Sequence, residues 1–260
     1  MMDSVFKPVA SLVVPCKCCN GQAKLYGVVD FNQYCGEVRQ PLLERCGIPI
    51  YYHRCEKCGF IFTVAFDSFS REDFTRWIYN DQYSQVDPEY KEVRPRAMAE
   101  RLIRMFSGST GIRILDYGGG NGKLAELMHA SGFKSVDTYD PFVPQFSARP
   151  VGHYDLIVSF EVAEHAPQPV ETFGDMKGLL AGKGMLVFAT QVQPPDIEFM
   201  RTQWWYIAPR NGHVSIYTPA ALNGVAVALD LRFMSFDTCW HTMFQQVPFF
   251  AQHLFQTPPA

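Results

Sequence analysis

The stretch that decides the fold is residues 112–128, which read IRILDYGGGNGKLAELM. Its first aliphatic residues predict a buried strand, and Leu124, Leu127 and Met128 have the spacing of one helical face. The glycines between these elements predict a turn from strand to helix. Glycine lets the backbone approach a ligand closely, and the amides of the first helical turn can donate to an anionic group. We therefore predict a ligand-binding turn.

The spacing of the glycines excludes two common nucleotide-binding motifs. The dinucleotide fingerprint needs a third glycine where this chain has Lys123, and the P-loop needs Ser or Thr where it has Leu124. What remains is an acidic residue followed by glycine at every second position. The residues of this pattern are Asp116, Gly118, Gly120 and Gly122.

This pattern resembles motif I of the class I S-adenosylmethionine-dependent methyltransferases, and the resemblance extends from residue 112 to about residue 236. It implies that the turn holds the methionine half of the cofactor. It also implies that Asp116 favours the ammonium group of that half, directly or through water. Glycine-rich turns also connect strands and helices in many other proteins, so the interpretation depends on further motifs.

The second predicted strand, residues 134–139, ends at Asp140. In open α/β sheets, ligands bind beyond the carboxyl ends of the strands, so Asp140 is expected in the same crevice as the glycine-rich turn. An acidic residue about twenty positions after the glycines can accept both ribose hydroxyls of a nucleoside. The alternative is a turn aspartate before Pro141. We predict Asp140 and Phe142 as cofactor contacts, and residues 143–152 show no evident third strand.

Residues 153–165, HYDLIVSFEVAEH, predict the fourth strand and its exit. They resemble the family segment in which a glutamate-histidine pair follows this strand beside the reacting methyl group. The resemblance implies that Phe160 and Glu161 border the cofactor, whereas Glu164 is expected to brace the helix start. Histidine suits a general base near neutral pH, and His165 is the first candidate.

His213 is the second candidate for the base, and for both histidines the alternative is a hydrogen bond to a backbone carbonyl. A long irregular segment, residues 193–211, precedes His213, and segments of this kind at this end of a sheet are usually functional. We expect it to shape the acceptor pocket, although its aromatic residues can equally belong to the core. The predicted acceptor contacts are Trp204, Trp205, Tyr206 and Tyr217.

Seven of the eight cysteines lie between residues 16 and 58, which favours a metal site over disulfides in a reducing compartment. The segments CKCC and CEKC each place two cysteines three positions apart, before a residue that tolerates positive φ. Two such knuckles complete a tetrahedral zinc site, and four protein ligands make the zinc structural. The predicted ligands are Cys16, Cys19, Cys55 and Cys58.

Other arrangements of this module remain open, namely metal-free structural cysteines or a site that uses a different ligand. The residues available for such an exchange are Cys18, Cys35, Cys46 and His53. The two cysteine pairs resemble the N-terminal zinc-binding domain that is fused to some sugar and natural-product methyltransferases.

These patterns together predict an α/β protein with a Rossmann-like doubly wound sheet of the class I methyltransferase type. The sheet follows a small zinc-ribbon-like module and a helical connector. We expect the zinc module at residues 1–66, the connector or lid at 67–110 and the S-adenosylmethionine-binding domain at 111–260. Ser70 begins a capping-box pattern for the first connector helix, and a second helix is expected after Pro95.

The composition is that of a globular protein: 260 residues, 47% hydrophobic, 19% charged and a formal net charge of −3. This charge gives no electrostatic reason to expect nucleic acid as a partner. Residues 1–14 show no signal-peptide pattern, and no apolar run is long enough to span a bilayer. We therefore expect a cytoplasmic protein without a membrane partner.

The function expected from the sequence is S-adenosylmethionine-dependent methyl transfer to a small-molecule or carrier-bound biosynthetic acceptor, such as a sugar or natural-product intermediate. The alternative is a non-catalytic adaptor that joins a zinc ribbon to a methyltransferase-like domain. The presence of Asp116, Asp140 and His165 favours the enzyme.

Overall fold

The computed structural model describes residues 12–37 and 43–256. The chain divides into two compact units, each formed by three stretches. Unit 1 comprises Met1–Pro88, Val162–Thr172 and Thr190–Ala228, and unit 2 comprises Glu89–Glu161, Phe173–Ala189 and Leu229–Ala260. The domain boundaries expected after residues 66 and 110 stay predictions. The expectation that residues 1–14 carry no signal peptide falls mostly outside the described residues.

The strands, in chain order, are β1 (Val13–Pro15), β2 (Gln22–Asp30), β3 (Pro49–Cys55), β4 (Ile61–Thr63), β5 (Arg113–Tyr117), β6 (Ser135–Tyr139), β7 (Tyr154–Phe160), β8 (Leu180–Ala189), β9 (Ser215–Ile216), β10 (Arg232–Ser235) and β11 (Trp240–Phe244). The α-helices are α1 (Arg71–Trp77), α2 (Tyr83–Val86), α3 (Val93–Phe106), α4 (Lys123–Ala130), α5 (Pro169–Gly178), α6 (Ile197–Met200) and α7 (Pro219–Ala228). Short 3-10 helices lie at Pro144–Phe146, Ala163–His165, Arg201–Gln203, Pro209–Asn211 and Phe249–Phe255.

Unit 2 contains a six-stranded sheet in the order β10-β11-β8-β7-β5-β6. Strands β6, β5, β7 and β8 are parallel, whereas β11 runs antiparallel to both of its neighbours, β8 and β10. Strand β5 lies between β6 on one side and β7 on the other, so the direction of winding reverses there. Such a reversal opens a crevice at the carboxyl ends of the strands, which is where ligands bind in doubly wound sheets.

Both faces of this sheet are covered, because side chains alternate between the faces along each strand. Val187 of β8 belongs to the core that includes Leu102 of α3 and Met128 of α4. Its neighbour Phe188 packs instead against Phe173 of α5, with ring centroids 4.9 Å apart. A strand buried on both faces reads as a continuous apolar run, as residues 185–189 of β8 do. The expected doubly wound α/β sheet is confirmed.

Residues 140–153, between β6 and β7, contain the 3-10 helix Pro144–Phe146 and no strand. The segment contains three prolines, which cannot donate a backbone hydrogen bond to a strand ladder. This agrees with the expectation that a third strand is not evident there.

Unit 1 contains a five-stranded antiparallel sheet in the order β1-β2-β3-β4-β9. The last strand comes from a distant part of the chain, and its Ile216 pairs with Ile61 of β4. The rings of Phe60, Phe62 and Tyr217 form an aromatic core, with the Phe60 centroid 5.2 Å from Phe62 and 5.0 Å from Tyr217.

The two helices predicted between β4 and β5 in the sequence are present, although the second begins at Val93 rather than after Pro95, and there is one addition. Ser70 caps α1 and forms the expected capping box with Asp73. Helix α3 buries Ala99, Leu102 and Phe106 on one face. The addition is α2, which lies between these two helices in the sequence. A single turn without a capping side chain has no sequence periodicity, so the pattern could not reveal it. None of the helices described here has the length and apolar character needed to cross a bilayer.

Candidate functional site

In unit 2, three strand ends carry the residues predicted to bind the cofactor. The glycine-rich turn follows β5, Asp140 follows β6 and Glu161 follows β7. The three strands are parallel neighbours, so their carboxyl ends lie at one edge of the sheet. The structure thus brings the predicted residues to the winding reversal at β5.

The glycine-rich turn has a backbone that other residues rarely adopt. Gly118, Gly120 and Gly122 have φ values of 78°, 56° and 78°, in the left-handed region that favours glycine. Gly119 is constrained by space instead, because a Cβ there would lie 2.2 Å from Oδ2 of Asp116. Gly119 was not among the predicted residues, because the pattern uses every second position. Its only mark in the sequence is its place in a run of three glycines.

Asp140 fixes the shape of this turn. Its Oδ2 accepts a hydrogen bond of 2.9 Å from the Gly120 amide, and its Oδ1 accepts one of 2.8 Å from the Phe142 amide. Asp140 is buried, whereas the Phe142 side chain is 38% exposed. Each carboxylate oxygen has a second lone pair, so Asp140 can accept further hydrogen bonds from a ligand.

Asp116 is a buried acid whose charge is poorly compensated. Its side chain is 2% exposed, and Oδ2 has no hydrogen-bond partner within residues 12–37 and 43–256. Burial, followed by the nearby charge of Asp140, raises the pKa of Asp116 to about 7. A buried carboxyl of this kind is stabilised by a ligand that brings a positive group.

Glu161 occupies a strained position at the end of β7. Its φ is 58°, in a region that non-glycine residues rarely adopt outside functional sites. It forms an ion pair with Arg94 at the start of α3. Phe160 is buried against Trp240, with ring centroids 4.8 Å apart. Sequence reasoning missed Arg94, because no motif marks an isolated arginine near a helix start.

In unit 1, the four predicted zinc ligands converge. The Sγ atoms of Cys16, Cys19, Cys55 and Cys58 all lie within 4.8 Å of one another. Three of the separations are 3.6 Å for Cys16 to Cys58, 3.5 Å for Cys19 to Cys55 and 3.5 Å for Cys19 to Cys58. Tetrahedral zinc with Zn–S bonds of about 2.3 Å requires sulfur separations of about 3.8 Å. The cluster is therefore compatible with structural zinc.

The backbone around the cysteines has the expected knuckle form. Asn20 and Gly59, which follow the two pairs, have φ values of 55° and 72°. Backbone amides of Lys57 and Cys58 point at Sγ of Cys55, at 3.4 and 3.5 Å. Such amide donors stabilise thiolates.

The residues considered as alternative zinc ligands lie outside the four-cysteine group. Cys18 is buried nearby, and Cys46 contacts Asp30. His53 packs beside Phe62 in the sheet. Cys35 lies next to His213, with 3.7 Å between Sγ and Nδ1.

A second cluster in unit 1 contains both candidate bases. Glu164, His165 and His213 each offer a ligand-type atom within 4.8 Å of the others. The two imidazole rings meet edge to face, with centroids 5.0 Å apart. Glu164 and His213 are buried, whereas His165 is half-buried. The backbone carbonyl of Glu164 accepts the Val214 amide at 2.8 Å, so Glu164 also braces the chain.

Tyr206 orients two members of this cluster. Its hydroxyl donates to Oε1 of Glu164 at 2.8 Å, and its carbonyl oxygen lies 2.9 Å from Nδ1 of His213. A carbonyl only accepts hydrogen bonds, so Nδ1 of His213 carries a proton.

The four predicted acceptor contacts differ in exposure. Trp204, Tyr206 and Tyr217 are buried, and the Tyr217 hydroxyl donates to the Ala163 carbonyl at 2.9 Å. Trp205 is 48% exposed beside Tyr206, with ring centroids 5.1 Å apart. Trp205 therefore offers the largest free surface of the four, and the acceptor contacts stay predictions.

Known proteins resemble this chain in its central part. Residues 90–235 match the family model described as a methyltransferase domain. The ubiquinone biosynthesis O-methyltransferase of Aromatoleum aromaticum is 29% identical over 32% of this chain and 46% of its own length. The enzyme of the same name from a Caulobacter species is 32% identical over 38% of this chain and 49% of its own length. The chain thus spans about half the length of the curated relatives it matches.

The fold also has counterparts among solved structures. Human N-acetylserotonin methyltransferase superposes with a TM-score of 0.52 at 16% identity, over 70% of this chain and 61% of that one. At this identity the likeness concerns the fold, and it agrees with the class I sheet described above. The family match includes the glycine-rich turn, Asp140 and the exit of β7. Because that match spans more than half of the residues, the chain belongs to the methyltransferase-domain family.

Proposed function

We propose that this protein transfers a methyl group from S-adenosylmethionine to a hydroxyl group of a small-molecule or carrier-bound biosynthetic acceptor. The observation that carries the proposal is the placement of Asp116, the glycine-rich turn, Asp140 and Glu161 at the carboxyl ends of three neighbouring strands. The names of the two O-methyltransferase relatives support a hydroxyl acceptor.

The residues of unit 2 fit the cofactor. Asp116 presents a buried carboxyl that an ammonium group would compensate, and the turn has no room for a side chain at Gly119. Asp140, already fixed by two amides, can accept the ribose hydroxyls. The remaining predicted contacts to the cofactor are Phe142, Phe160 and Glu161. When bound, the cofactor supplies a methyl group on a positively charged sulfur.

Methyl transfer requires the protein to align the acceptor oxygen with the methyl carbon, and it requires no covalent bond to the protein. The acceptor oxygen forms a bond to the methyl carbon as the carbon–sulfur bond breaks, and that electron pair stays on sulfur. Alignment and exclusion of water lower the barrier of such a displacement. The hydroxyl proton must also leave, and the Glu164, His165 and His213 cluster is suited to take it. We assign this step first to His165 and second to His213.

The first test replaces Asp140. Asp140→Ala is expected to weaken S-adenosylmethionine binding at least about tenfold, because each hydrogen bond to a charged group contributes about 1.5–3 kcal/mol. The two amides that shape the turn also lose their acceptor. Isothermal titration calorimetry measures the affinity.

Asp137→Ala is the matched control for this test, because Asp137 is an exposed residue of β6, the strand that Asp140 follows. Its expected affinity equals that of the unmodified protein. An Asp140→Ala protein that folds normally and binds the cofactor with unchanged affinity would contradict the assignment.

The second test uses the titration of Asp116. With its pKa near 7, Asp116 is protonated at lower pH in the unliganded protein, and only the ionised form attracts an ammonium group. Binding below that pH therefore releases a proton, and affinity falls by up to about tenfold for each unit of pH below the pKa. Calorimetry in buffers of different ionisation enthalpy counts the released protons.

Asp116→Asn serves as the comparison for the pH series, because asparagine keeps the shape of the side chain but does not titrate. We expect this variant to show a much smaller change in affinity between about pH 6 and about pH 8. Equal pH dependence in both proteins would show that Asp116 is not the titrating group.

Transfer of a labelled methyl group into a product distinguishes the enzyme from the non-catalytic adaptor. The purified protein is incubated with methyl-labelled cofactor and a metabolite extract. Label in a product excludes the non-catalytic adaptor, and label that stays in the cofactor despite measured binding favours it.

A further inference from the structure

We propose that Glu164, His165 and His213 bind a divalent transition-metal ion, in addition to the zinc expected at the four cysteines. One carboxylate oxygen and two imidazole nitrogens lie within 4.8 Å of one another in unit 1. Two histidines and one carboxylate form a ligand set that suits first-row divalent metals and leaves coordination positions open.

The spacing of the ligand atoms is close to that of a loaded site. Metal bonds of about 2.1 Å to nitrogen and oxygen place neighbouring ligand atoms about 3.0–3.4 Å apart. Side-chain adjustments of about 1–2 Å would therefore bring the three atoms from their present separations to bonding positions. The backbone holds Glu164 beside His213, because the amide of Val214, the residue after His213, donates to the Glu164 carbonyl at 2.8 Å.

Tyr206 supplies the outer contacts that metal ligands require. Metal-binding histidines usually donate their other ring N–H to a carbonyl or carboxylate, and ligating carboxylates are themselves hydrogen-bonded. Here the Tyr206 carbonyl faces Nδ1 of His213, which leaves Nε2 as the donor atom for a metal. The Tyr206 hydroxyl fixes Oε1 of Glu164.

Two members of the cluster are buried, which favours binding of an ion, and the third is partly accessible to solvent. Glu164 is fully buried and His213 is 4% exposed, and a carboxylate at such depth is stabilised by a nearby cation. His165 is half-buried, so one side of the cluster is accessible. The ligands are nitrogen and oxygen atoms, which accept Mn²⁺, Co²⁺ or Zn²⁺, whereas the four thiolates select softer metals.

Gly212 keeps the space that His165 occupies. Its φ is 88°, and a Cβ at this position would lie 2.9 Å from Nδ1 of His165. The close approach of this backbone holds the imidazole beside His213. Glycine at position 212 is thus needed for the observed position of the His165 ring.

This inference deepens the proton-removal step and in that respect rests on the proposed function. An ion at this site would lower the pKa of a hydroxyl that it contacts. The hydroxyl proton would then leave to solvent, and His165 and His213 would act as metal ligands instead of accepting that proton directly. Metal binding itself is measured without acceptor or cofactor, and its outcome is independent of methyl transfer.

The experiment titrates the 260-residue protein, carrying one equivalent of zinc, with Mn²⁺ and follows the electron paramagnetic resonance signal of free Mn²⁺. Co²⁺ is titrated in parallel and followed by its visible absorption. We expect one further equivalent of metal to bind. His165→Gln is expected to weaken this binding at least about tenfold, and Tyr206→Phe about 10-fold to 100-fold.

His153→Gln is the matched control, because it makes the same substitution at an exposed histidine, and it should bind metal normally. Thermal unfolding and cofactor calorimetry on the same samples show that each variant is folded. Binding of neither Mn²⁺ nor Co²⁺ by the unmodified protein overturns the proposal. Equal binding by the unmodified protein and His165→Gln also overturns it. Cofactor binding measured in the same samples tests the proposed function separately.

Discussion

His165→Gln is expected to lower kcat for methyl transfer about 10²-fold to 10⁴-fold, the range that a positioned acid–base group contributes. Glutamine keeps the polarity and approximate size of the side chain but neither takes up a proton near neutral pH nor coordinates a metal as imidazole does. His165 lies beside Glu164 and His213 in unit 1, whereas the predicted cofactor contacts belong to unit 2. The affinity for S-adenosylmethionine is therefore expected to remain unchanged.

The measurement is the initial rate of label transfer from methyl-labelled cofactor into the product formed by the unmodified protein. His153→Gln, at an exposed position, provides the matched control and should retain the full rate. A His165→Gln protein with an undiminished rate would remove His165 from the reaction. A rate loss accompanied by an equal loss of cofactor affinity would indicate a disturbed fold instead.

Cys55→Ser is expected to release zinc and to unfold much of the sheet in unit 1. Zinc binding contributes about 10–16 kcal/mol to the folding of isolated zinc-finger peptides, and serine is a poor replacement for a thiolate ligand. Cys55 ends β3, and its Sγ lies 3.5 Å from that of Cys19. Loss of this ligand removes the expected metal link between the two knuckles and leaves the backbone pairing of β2 with β3, such as Ala23 with Cys55, to hold them together.

Metal analysis and hydrogen exchange test this expectation. The amides of β2 and β3 should exchange much faster in Cys55→Ser than in the unmodified protein, and the zinc content should fall. Cys46→Ser is the control, because Cys46 is exposed and lies outside the four-cysteine cluster. Full zinc content together with unchanged exchange in Cys55→Ser would rule out a structural metal at these cysteines.

The fold of unit 2 was accessible from the sequence because its signals are local. An apolar strand, glycines and a helical stripe follow one another in residues 112–128, and the structure has β5, the turn and α4 there. The capping box at Ser70 is equally local, since its two hydrogen bonds join residues three positions apart. The fold follows from the order of such elements once strands and helices alternate.

The pairing of β4 with β9 could not be predicted in this way. Ser215 and Ile216 form a strand too short to show any alternation, and their partners lie at Ile61 and Phe62. Ser215 and Ile216 form a strand only because they pair with β4 in the folded protein. The same reason conceals the single-turn helix α2, whose four residues carry no helical period.

The candidate site likewise contains residues that local sequence reveals and contacts that it does not reveal. Asp116, Asp140 and the glycines are recognisable because they stand at fixed positions around one turn. The approach of Glu164 to His213 depends on contacts between distant segments, and so do the two hydrogen bonds of Tyr206. Tyr206 is predicted from the sequence as an acceptor contact, and the structure adds its contacts to Glu164 and His213.

The strand β9 also sets an order of events during synthesis of the chain. Strand β4 ends at Thr63, but its outer neighbour begins only at Ser215, so most of the polypeptide must leave the ribosome before this edge is closed. Until then the outward amides and carbonyls of β4 can pair with another nascent chain, which is a recognised route to aggregation. Fragments that stop before residue 215 should therefore be poorly recoverable even with zinc present, and the missing strand supplied as a peptide should improve their yield.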